Sequence, residues 1–393
     1  MATPKLRFKE FDADYTNTTF EKLKGFSIQS GKSEEKGDTG EFPFYGSTGV
    51  IGYKDIFDYE GKSILIARVG ANAGSLYQID GKYSVSDNTL RLTVSDDTSL
   101  DYLRELLIKF NLNRLVFGTG QPLVTGGMIK KVNIFIPEFT EQTKIASFLS
   151  LVDEKISQLT QKHELLSQYK QGMMQKLFSQ QIRFKADDGS EFGEWEEKTL
   201  IDSVDTNIKW SFTGGPFGSN LKSEDYTGLG IRIIQLQNIG DGAFLNDYKI
   251  YTSPEKANEL LSCNIYPDEI LISKMGDPVA RCCIVPKHHD RYVMCSDGIR
   301  LVVDKQNYSS IFMFYQINYQ DFRQSASDVS TGSTRKRIGL NDLKQLPIKV
   351  PCLEEQTKIA NFLSAIDQKV EVVAQQIEQA KQWKKGLLQQ MFV

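Results

Sequence analysis

The chain has 393 residues, 40% hydrophobic and 25% charged, with a formal net charge of −3, enough apolar material for more than one globular core. No apolar run approaches the roughly 20 residues that cross a bilayer, and the N-terminal MATPKLRFKE lacks an apolar signal core, so a soluble, cytoplasmic protein is expected. A pI near 5.8 argues against a bare electrostatic DNA binder. Basic character is local, at Lys130-Lys131 and Arg335-Lys336-Arg337.

In chain order, residues 1–137 read as a globular block of short β-rich segments and one helix, hence α+β. Gly25–Ser33 (GFSIQSGKS) imitates a phosphate-binding loop, but five residues stand between its glycines where that motif needs four. A loop preceding a strand is the better reading. The apolar run Ile64–Gly70 reads as a strand, and Leu100–Val116 reads as a helix with Ser99 as its N-cap. A loop, Gly118-Thr119-Gly120-Gln121, follows.

Residues 138–178 then form a long helix. Its seam runs Ile145, Leu149, Val152, Ile156, Leu159, His163, Leu166, Lys170, Met173, Leu177, alternating steps of four and three as in a coiled coil. Pro137 ahead of it and Glu141 in its first turn suit a helix start. Lys170 and His163 on this seam read as a snorkelling head and a register-setting polar layer.

Residues 179–350 form a second block that echoes the first. Arg7-Phe8-Lys9 returns as Arg183-Phe184-Lys185, ILIARVG as ILISKMG (Ile270–Gly276), and Ser86-Asp87 as Ser296-Asp297. A helix-like stretch at Ser310–Ser325 and a Gly/Ser/Thr loop at Gly332-Ser333-Thr334-Arg335 follow in the same order. Residues 351–393 form the second long helix, with the seam Ile359, Leu363, Ile366, Val370, Val373, Ile377, Ala380, Lys384, Leu387, Met391.

The two long helices are copies. Ile136–Ile156 returns 214 residues later as Val350–Val370 with 12 of 21 positions identical, including the whole block Glu141–Ala146 and its copy Glu355–Ala360. A repeat present only twice implies pseudo-two-fold symmetry. Helix one leads from the first block to the second and helix two starts at the second, so a packed pair is antiparallel. At 1.5 Å per residue each helix spans about 60 Å.

No active site emerges from the residues. The five cysteines, Cys263, Cys282, Cys283, Cys295 and Cys352, lack CxxC spacing and read as reduced structural thiols. Adjacent pairs such as Cys282-Cys283 and His288-His289 fit tetrahedral metal ligation poorly. Pro267-Asp268 with Ile272-Ser273-Lys274 lacks the second acidic residue of a nuclease core, and neither a GxGxxG unit nor an Asn-Pro-Pro-aromatic motif is present.

The doubled EQTKIAxFLS helix opening, each copy after a dissimilar domain, resembles the specificity subunit of a type I restriction-modification system. So do Phe44–Gly49 with Ile51-Gly52-Tyr53, the GPFGS of Gly215–Ser219, and the basic loop Gly332–Arg337. The resemblance covers essentially the whole chain. It implies two target-recognition domains separated by a pair of long antiparallel coiled-coil helices that act as a ruler. Each domain would read half of an asymmetric, interrupted site in double-stranded DNA.

The resemblance further implies two methyltransferase (modification) subunits as partners, with nuclease-translocase (restriction) subunits joining them. S-adenosylmethionine and Mg-ATP would belong to those partners, and this chain would be non-catalytic. Glycine-rich loops let backbone approach phosphate, and polar groups beside them reach base edges. The candidate DNA-binding residues in the first domain are Tyr45, Ser47, Thr48, Tyr53, Lys54, Arg68, Asn72 and Gln121. In the second they are Phe217, Ser219, Asn220, Lys222, Gln237, Lys274, Arg335, Lys336 and Arg337.

Overall fold

The computed structural model describes residues 3–32, 37–116, 122–332 and 335–393. Their contacts divide into two compact units, Met1–His163 with Val372–Val393, and Glu164–Glu371. Each unit therefore holds one globular domain together with part of each long helix.

In the first unit the strands are β1 (Thr16–Thr19), β2 (Ser27–Ser30), β3 (Phe42–Gly46), β4 (Gly49–Lys54), β5 (Tyr59–Glu60), β6 (Ser63–Ala67), β7 (Leu76–Ile79), β8 (Lys82–Val85) and β9 (Thr89–Thr93). Helix α1 (Leu100–Phe110), the short α2 (Gly126–Lys130), strand β10 (Asn133–Ile136) and the long α3 (Phe139–Phe178) follow. Two four-stranded sheets result, in the orders β2-β9-β6-β7 and β4-β3-β8-β5, and β1 pairs with β10 at the foot of α3.

The second unit repeats this plan with β11 (Glu196–Thr199), β12 (Phe212–Gly214), β13 (Tyr226–Thr227), β14 (Ile231–Ile234), β15 (Ile250–Thr252), α4 (Pro254–Glu259), β16 (Asn264–Ile265), β17 (Ile270–Ser273), β18 (Cys282–Ile284), β19 (Tyr292–Met294) and β20 (Gly298–Leu301). It continues through α5 (Ser310–Asn318), α6 (Gln320–Asp328), α7 (Leu340–Lys344), β21 (Pro347–Val350) and the long α8 (Leu353–Met391). Its sheets run β12-β20-β17-β18 and β13-β15-β14-β19-β16, the same order with β13 added at one edge. The parallel strand pairs correspond as well, β3 beside β8 and β14 beside β19.

The matched apolar strands are explained by burial on two faces, which removes the usual alternation. Ile64 and Ile66 enter the main core with α1 and the helix ends, while Leu65 enters the core under the second sheet. Ile270 and Ile272 divide from Leu271 in the same way. The segment that imitates a phosphate loop is itself partly strand, since β2 occupies Ser27–Ser30, and Ser33 lies outside the described residues. Its Gly31 is required by packing: a Cβ there would stand 1.9 Å from the Val85 carbonyl oxygen.

Both long helices form with the expected seam, every seam residue being buried or half-buried. In the first unit Ile145, Leu149 and Val152 share a core with Leu387, Leu388 and Met391. In the second, Leu177 and Phe178 share one with Ile359, Leu363 and Ile366. The start of one helix thus meets the end of the other in each unit, which makes the pair antiparallel. The shorter helices depart from expectation. Asn111, with φ of 60°, ends α1 ahead of a 3-10 turn at Leu112–Leu115, and Ser310–Ser325 breaks at Tyr319 into α5 and α6.

The identical block in the repeat is a lock between helix and domain. Arg7 donates to both carboxylate oxygens of Glu141 at 2.8 and 2.7 Å, and Arg183 does the same to Glu355 at 3.1 and 2.7 Å. Both carboxylates are fully buried, a placement tolerable only with such pairing. Hydrogen bonding to these glutamates raises the pKa of each arginine above its ordinary value.

Gln142 accepts from the Ser99 backbone N–H and donates to the Pro137 carbonyl, both at 2.9 Å, and Gln356 repeats both bonds with Ser309 and Pro351. Edge-on pairs Phe8–Phe148 and Phe184–Phe362 complete each lock. The recurring Arg-Phe pair and the Glu-Gln pair are therefore two halves of one contact.

Lys170 and Lys384 are more than snorkelling heads. Lys170 reaches Asp367 on the other helix at 2.5 Å, and Lys384 reaches the matching Asp153 at 2.6 Å. Lys384 also meets the buried Glu105 at 3.0 Å, where the second unit instead places Tyr315, donating to Asp367 at 2.6 Å.

Candidate nucleic-acid interface

In each domain the loops at one end of the sheets are knitted together by backbone hydrogen bonds. In the first, the Asn88 carbonyl accepts from the Arg68 N–H at 2.9 Å and from the Ser47 hydroxyl at 3.2 Å. The Ser86 N–H bonds the Tyr45 carbonyl, and Val124 N–H bonds the Arg68 carbonyl. Tyr45, Ser47 and Thr48 from the β3–β4 corner and Arg68 and Asn72 from the loop after β6 are thus drawn together by the Ser86–Asn88 turn and its neighbours. Thr48 and Asn72 are exposed, Ser47 and Arg68 half-buried, and the Tyr45 ring packs edge-on against Tyr83.

Tyr53 and Lys54 stand elsewhere. The register pairs Lys54 with Phe42 at the far end of β3 and β4 from the Ser47-Thr48 turn, about 16 Å along the strand. Lys54 bonds Asp58 at 3.3 Å and lies over the Phe44 ring. Burial alone would raise the Asp58 pKa, but hydrogen bonds from Ser84 and Lys54 and the lysine charges lower it below the ordinary value. Gln121 lies outside the described residues.

In the second domain Asp297 plays the organising part. Its carbonyl accepts the Lys274 N–H at 2.7 Å, and its carboxylate pairs with Arg337 at 2.7 Å. The Lys336 carbonyl accepts from Gly276 N–H, and the Lys274 carbonyl from Ile338 N–H, so the basic loop is laid along the Lys274 turn. Lys336 donates its ammonium to Ser327, and Arg335 is exposed. The three cations of this loop are therefore unequal, two of them already partnered within the domain.

The GPFGS segment leaves from the same place. A Cβ on Gly215 would fall 1.7 Å from the Cys295 carbonyl oxygen, two residues before Asp297. Phe217, Ser219, Asn220 and Lys222 are all exposed beyond it, and Lys222 N-caps a 3-10 turn at Ser223–Asp225. Gln237 is exposed on the 3-10 turn Leu236–Asn238 that follows β14, where the first domain has its Ser47-Thr48 turn.

Sequence reasoning missed Asn88 and Asp297, the hubs of the two loop clusters. The recurrence of Ser86-Asp87 as Ser296-Asp297 marked Asp297, but in the first domain it fell on Asp87, one residue before Asn88. Reasoning also missed Arg232, 2% exposed, whose guanidinium donates to the Asn246 side chain and at 3.2 Å to the Tyr248 carbonyl. With Asn238, which donates to the Leu245 and Tyr248 carbonyls at 2.8 and 2.9 Å, it holds the 244–248 loop in place.

The cysteines do not converge on a metal. Neighbours on β18 point to opposite faces, so Cys282 enters one core and Cys283 another. Among the described residues no group of three or more His, Cys, Asp or Glu could hold an ion, and no helix is long and apolar enough to cross a membrane.

Two domains of one topology, clamped to antiparallel helices by the same arginine–glutamate pair and presenting dissimilar polar and basic loops, define a duplicated recognition protein. A family model for the type I restriction modification DNA specificity domain matches residues 19–168 and again residues 237–382. The chain belongs to that family, as its doubled helix opening led us to expect.

Among curated relatives, the type I restriction enzyme MjaVIII specificity subunit of Methanocaldococcus jannaschii is 27% identical over 83% of this chain and 77% of its own length. A putative type I restriction enzyme specificity subunit of Haemophilus influenzae is 22% identical over 84% of this chain and 81% of its own. Among solved structures, the type I restriction-modification S subunit from M. genitalium superposes with a TM-score of 0.63 at 18% identity, covering 100% of this chain and 99% of that one. A chain from a study of complex assembly in the type I restriction-modification system superposes at 0.53 with 16% identity, over 96% and 97% of the two chains. These likenesses establish the shared fold.

Proposed function

We propose that this chain is the non-catalytic DNA-recognition subunit of a type I restriction-modification complex, working in the cytoplasm. Each domain reads one half of an asymmetric bipartite site through its loop cluster. The observation that carries this reading is the contrast between what is copied and what is not. Clamp, helix seam and sheet order are the same in both halves, while the loops beyond the sheets differ in length and chemistry.

A symmetric scaffold suits two identical partners, here methyltransferase subunits docking on the two copies of the repeat. Dissimilar loops suit two dissimilar half-sites. The paired helices set the spacing, with half-site centres about 10 bp apart so that both domains meet major grooves on one side of the duplex. S-adenosylmethionine and Mg-ATP serve the methyltransferase and nuclease-translocase subunits, and catalysis belongs to them. The cations that meet phosphate in this scheme are Arg335 first, then Lys336, Arg337, Lys274 and Arg68.

Methylation-sensitive long-read sequencing of host DNA, with and without this gene, tests the proposal. Loss of a bipartite adenine-methylated motif with a fixed gap is the expected result. An unchanged methylome, with the methyltransferase partner present and active, would favour a protein-only adaptor. Inserting about four residues at matching points of α3 and α8 should lengthen the gap in the motif, and a gap that stays constant would refute the ruler.

A further inference from the structure

We propose that Phe217 is a wedge that enters the base stack of the half-site read by the second domain. This rests on the DNA-recognition reading and adds a mode of contact to it. Phe217 is 81% exposed, an unusual state for a phenylalanine in a domain whose other phenylalanines are buried or half-buried. Its loop is also anchored at both ends. Pro216 is buried on one side and Leu221 on the other, and the Asn220 N–H closes a turn onto the Phe217 carbonyl at 2.8 Å.

A buried proline before the ring and a closed turn after it limit the ways the side chain can fold back. The ring is presented by a short, braced turn, and little ordering entropy remains to be lost when it is gripped.

Position decides what grips it. Gly215, two residues earlier, abuts the Cys295 carbonyl beside the Asp297–Arg337 pair, so the turn springs from the cluster that carries Lys274 and the basic loop. Ser219, Asn220 and Lys222 beside the ring are polar and exposed, as groups that line a phosphate backbone or a base edge would be. An apolar side chain flanked by cations and amides matches the arrangement in which a wedge unstacks one base step while its neighbours hold the strands. Leu229, on the same connection between β12 and β14, is also open, at 85% exposed, so a protein contact is one of the outcomes the test decides. The matching stretch of the first domain, after Gly31 and Lys32, begins at Ser33, outside the described residues.

The test uses the full chain assembled with its methyltransferase partner, on duplexes carrying the motif found by methylome sequencing. The fluorescent base 2-aminopurine is placed in turn at each position of the second domain's half-site. The target adenine itself is left out, because methyl transfer already takes it from the stack.

Expected is a fluorescence rise at one step on binding, lost in Phe217→Ala and kept in Phe217→Trp. Binding by Phe217→Ala should be about tenfold weaker, and an abasic site at that step should restore it by removing the stack to be opened. No rise at any position while the wild-type complex is bound to its motif would overturn the wedge and leave recognition standing. Loss of assembly with the methyltransferase by Phe217→Ala, without DNA present, would overturn it in favour of a protein contact. A wild-type complex that does not discriminate the motif would sink the recognition reading itself.

Discussion

The two domains share a sheet order yet solve the same corner differently. In the first, β3 and β4 are joined by two residues, Ser47 and Thr48, and among the described residues the core under that sheet is three buried side chains, Leu65, Tyr83 and Val85, ringed by three tyrosines and Ile79. In the second, fifteen residues (235–249) join β14 to β15, and fourteen buried residues underlie the sheet. A tight turn is held by its own strands and needs little core. A long excursion must be pinned, and Arg232 and Asn238 pin it from below. Variation in what is read is thus absorbed by loops and by a private core, while the helix clamp stays as it is.

The largest test of that division falls on the clamp. Glu141→Ala and Glu355→Ala should each cost about 3 kcal/mol in urea unfolding, since each strands a partly buried arginine. The Glu141 cost should be the larger by about 1 kcal/mol, because Glu141 also accepts from the buried Tyr15 hydroxyl at 3.1 Å, a bond not repeated at Glu355 among the described residues. Equal costs would show that this bond contributes nothing. Lys384→Met should cost about 2 kcal/mol because it takes one of the two cations paired with the buried Glu105, Arg104 remaining, whereas Lys170→Met, whose partner keeps Tyr315, should cost under about 1 kcal/mol.

Arg232→Met sharpens the contrast of loops. It should cost about 1.5 kcal/mol and release amide exchange protection across 244–248, with discrimination weakened only in the second half-site. Unaltered exchange there would show that Asn238 alone pins the loop.

The basic loop gives a smaller effect. Arg335→Ala should flatten the salt dependence of DNA binding by about 0.9 in slope, and Arg337→Ala by less, because Arg337 is already paired with Asp297. Equal changes for both would show that DNA displaces that pair. Least affected is the native thiol chemistry. Burial pushes the Cys282 thiol up to about 12 and Cys295 to about 11, and raises Cys283 further, so these stay protonated through neutral pH. Iodoacetamide at pH 8 should therefore label the exposed Cys352 alone in folded protein.

Much of the scaffold was legible because its signals are periodic or repeated. The heptad seams of α3 and α8 are local patterns, and the ILIA and ILIS runs announce strands buried on both faces. The site was less legible. Ser47, Arg68 and Asn72 were singled out for composition, and so were Tyr53 and Lys54, yet the strand register sends the last two to the opposite end of the sheet. No one-dimensional pattern marks which end of a strand faces a ligand. Asn88 acts through its carbonyl, which every residue possesses, and Asp297 through its carbonyl and through a carboxylate whose partner, Arg337, lies 40 residues away in the chain, so no local pattern marks either role.

By itself the sequence determined that the molecule is doubled, that its two long helices are copies with one apolar seam, and that the chain resembles a family with such copies. Helix and strand periods are written within a few residues, and a repeat is visible without folding. Only the tertiary structure decided that the repeated glutamates close on Arg7 and Arg183, across 134 and 172 residues of chain. It also decided that the seam lysines reach aspartates on the opposite helix, that Arg337 is committed to Asp297, and that Phe217 stands braced in the open. Each of these depends on which distant segments meet, and that is settled by the closing of the sheets and the packing of the helices.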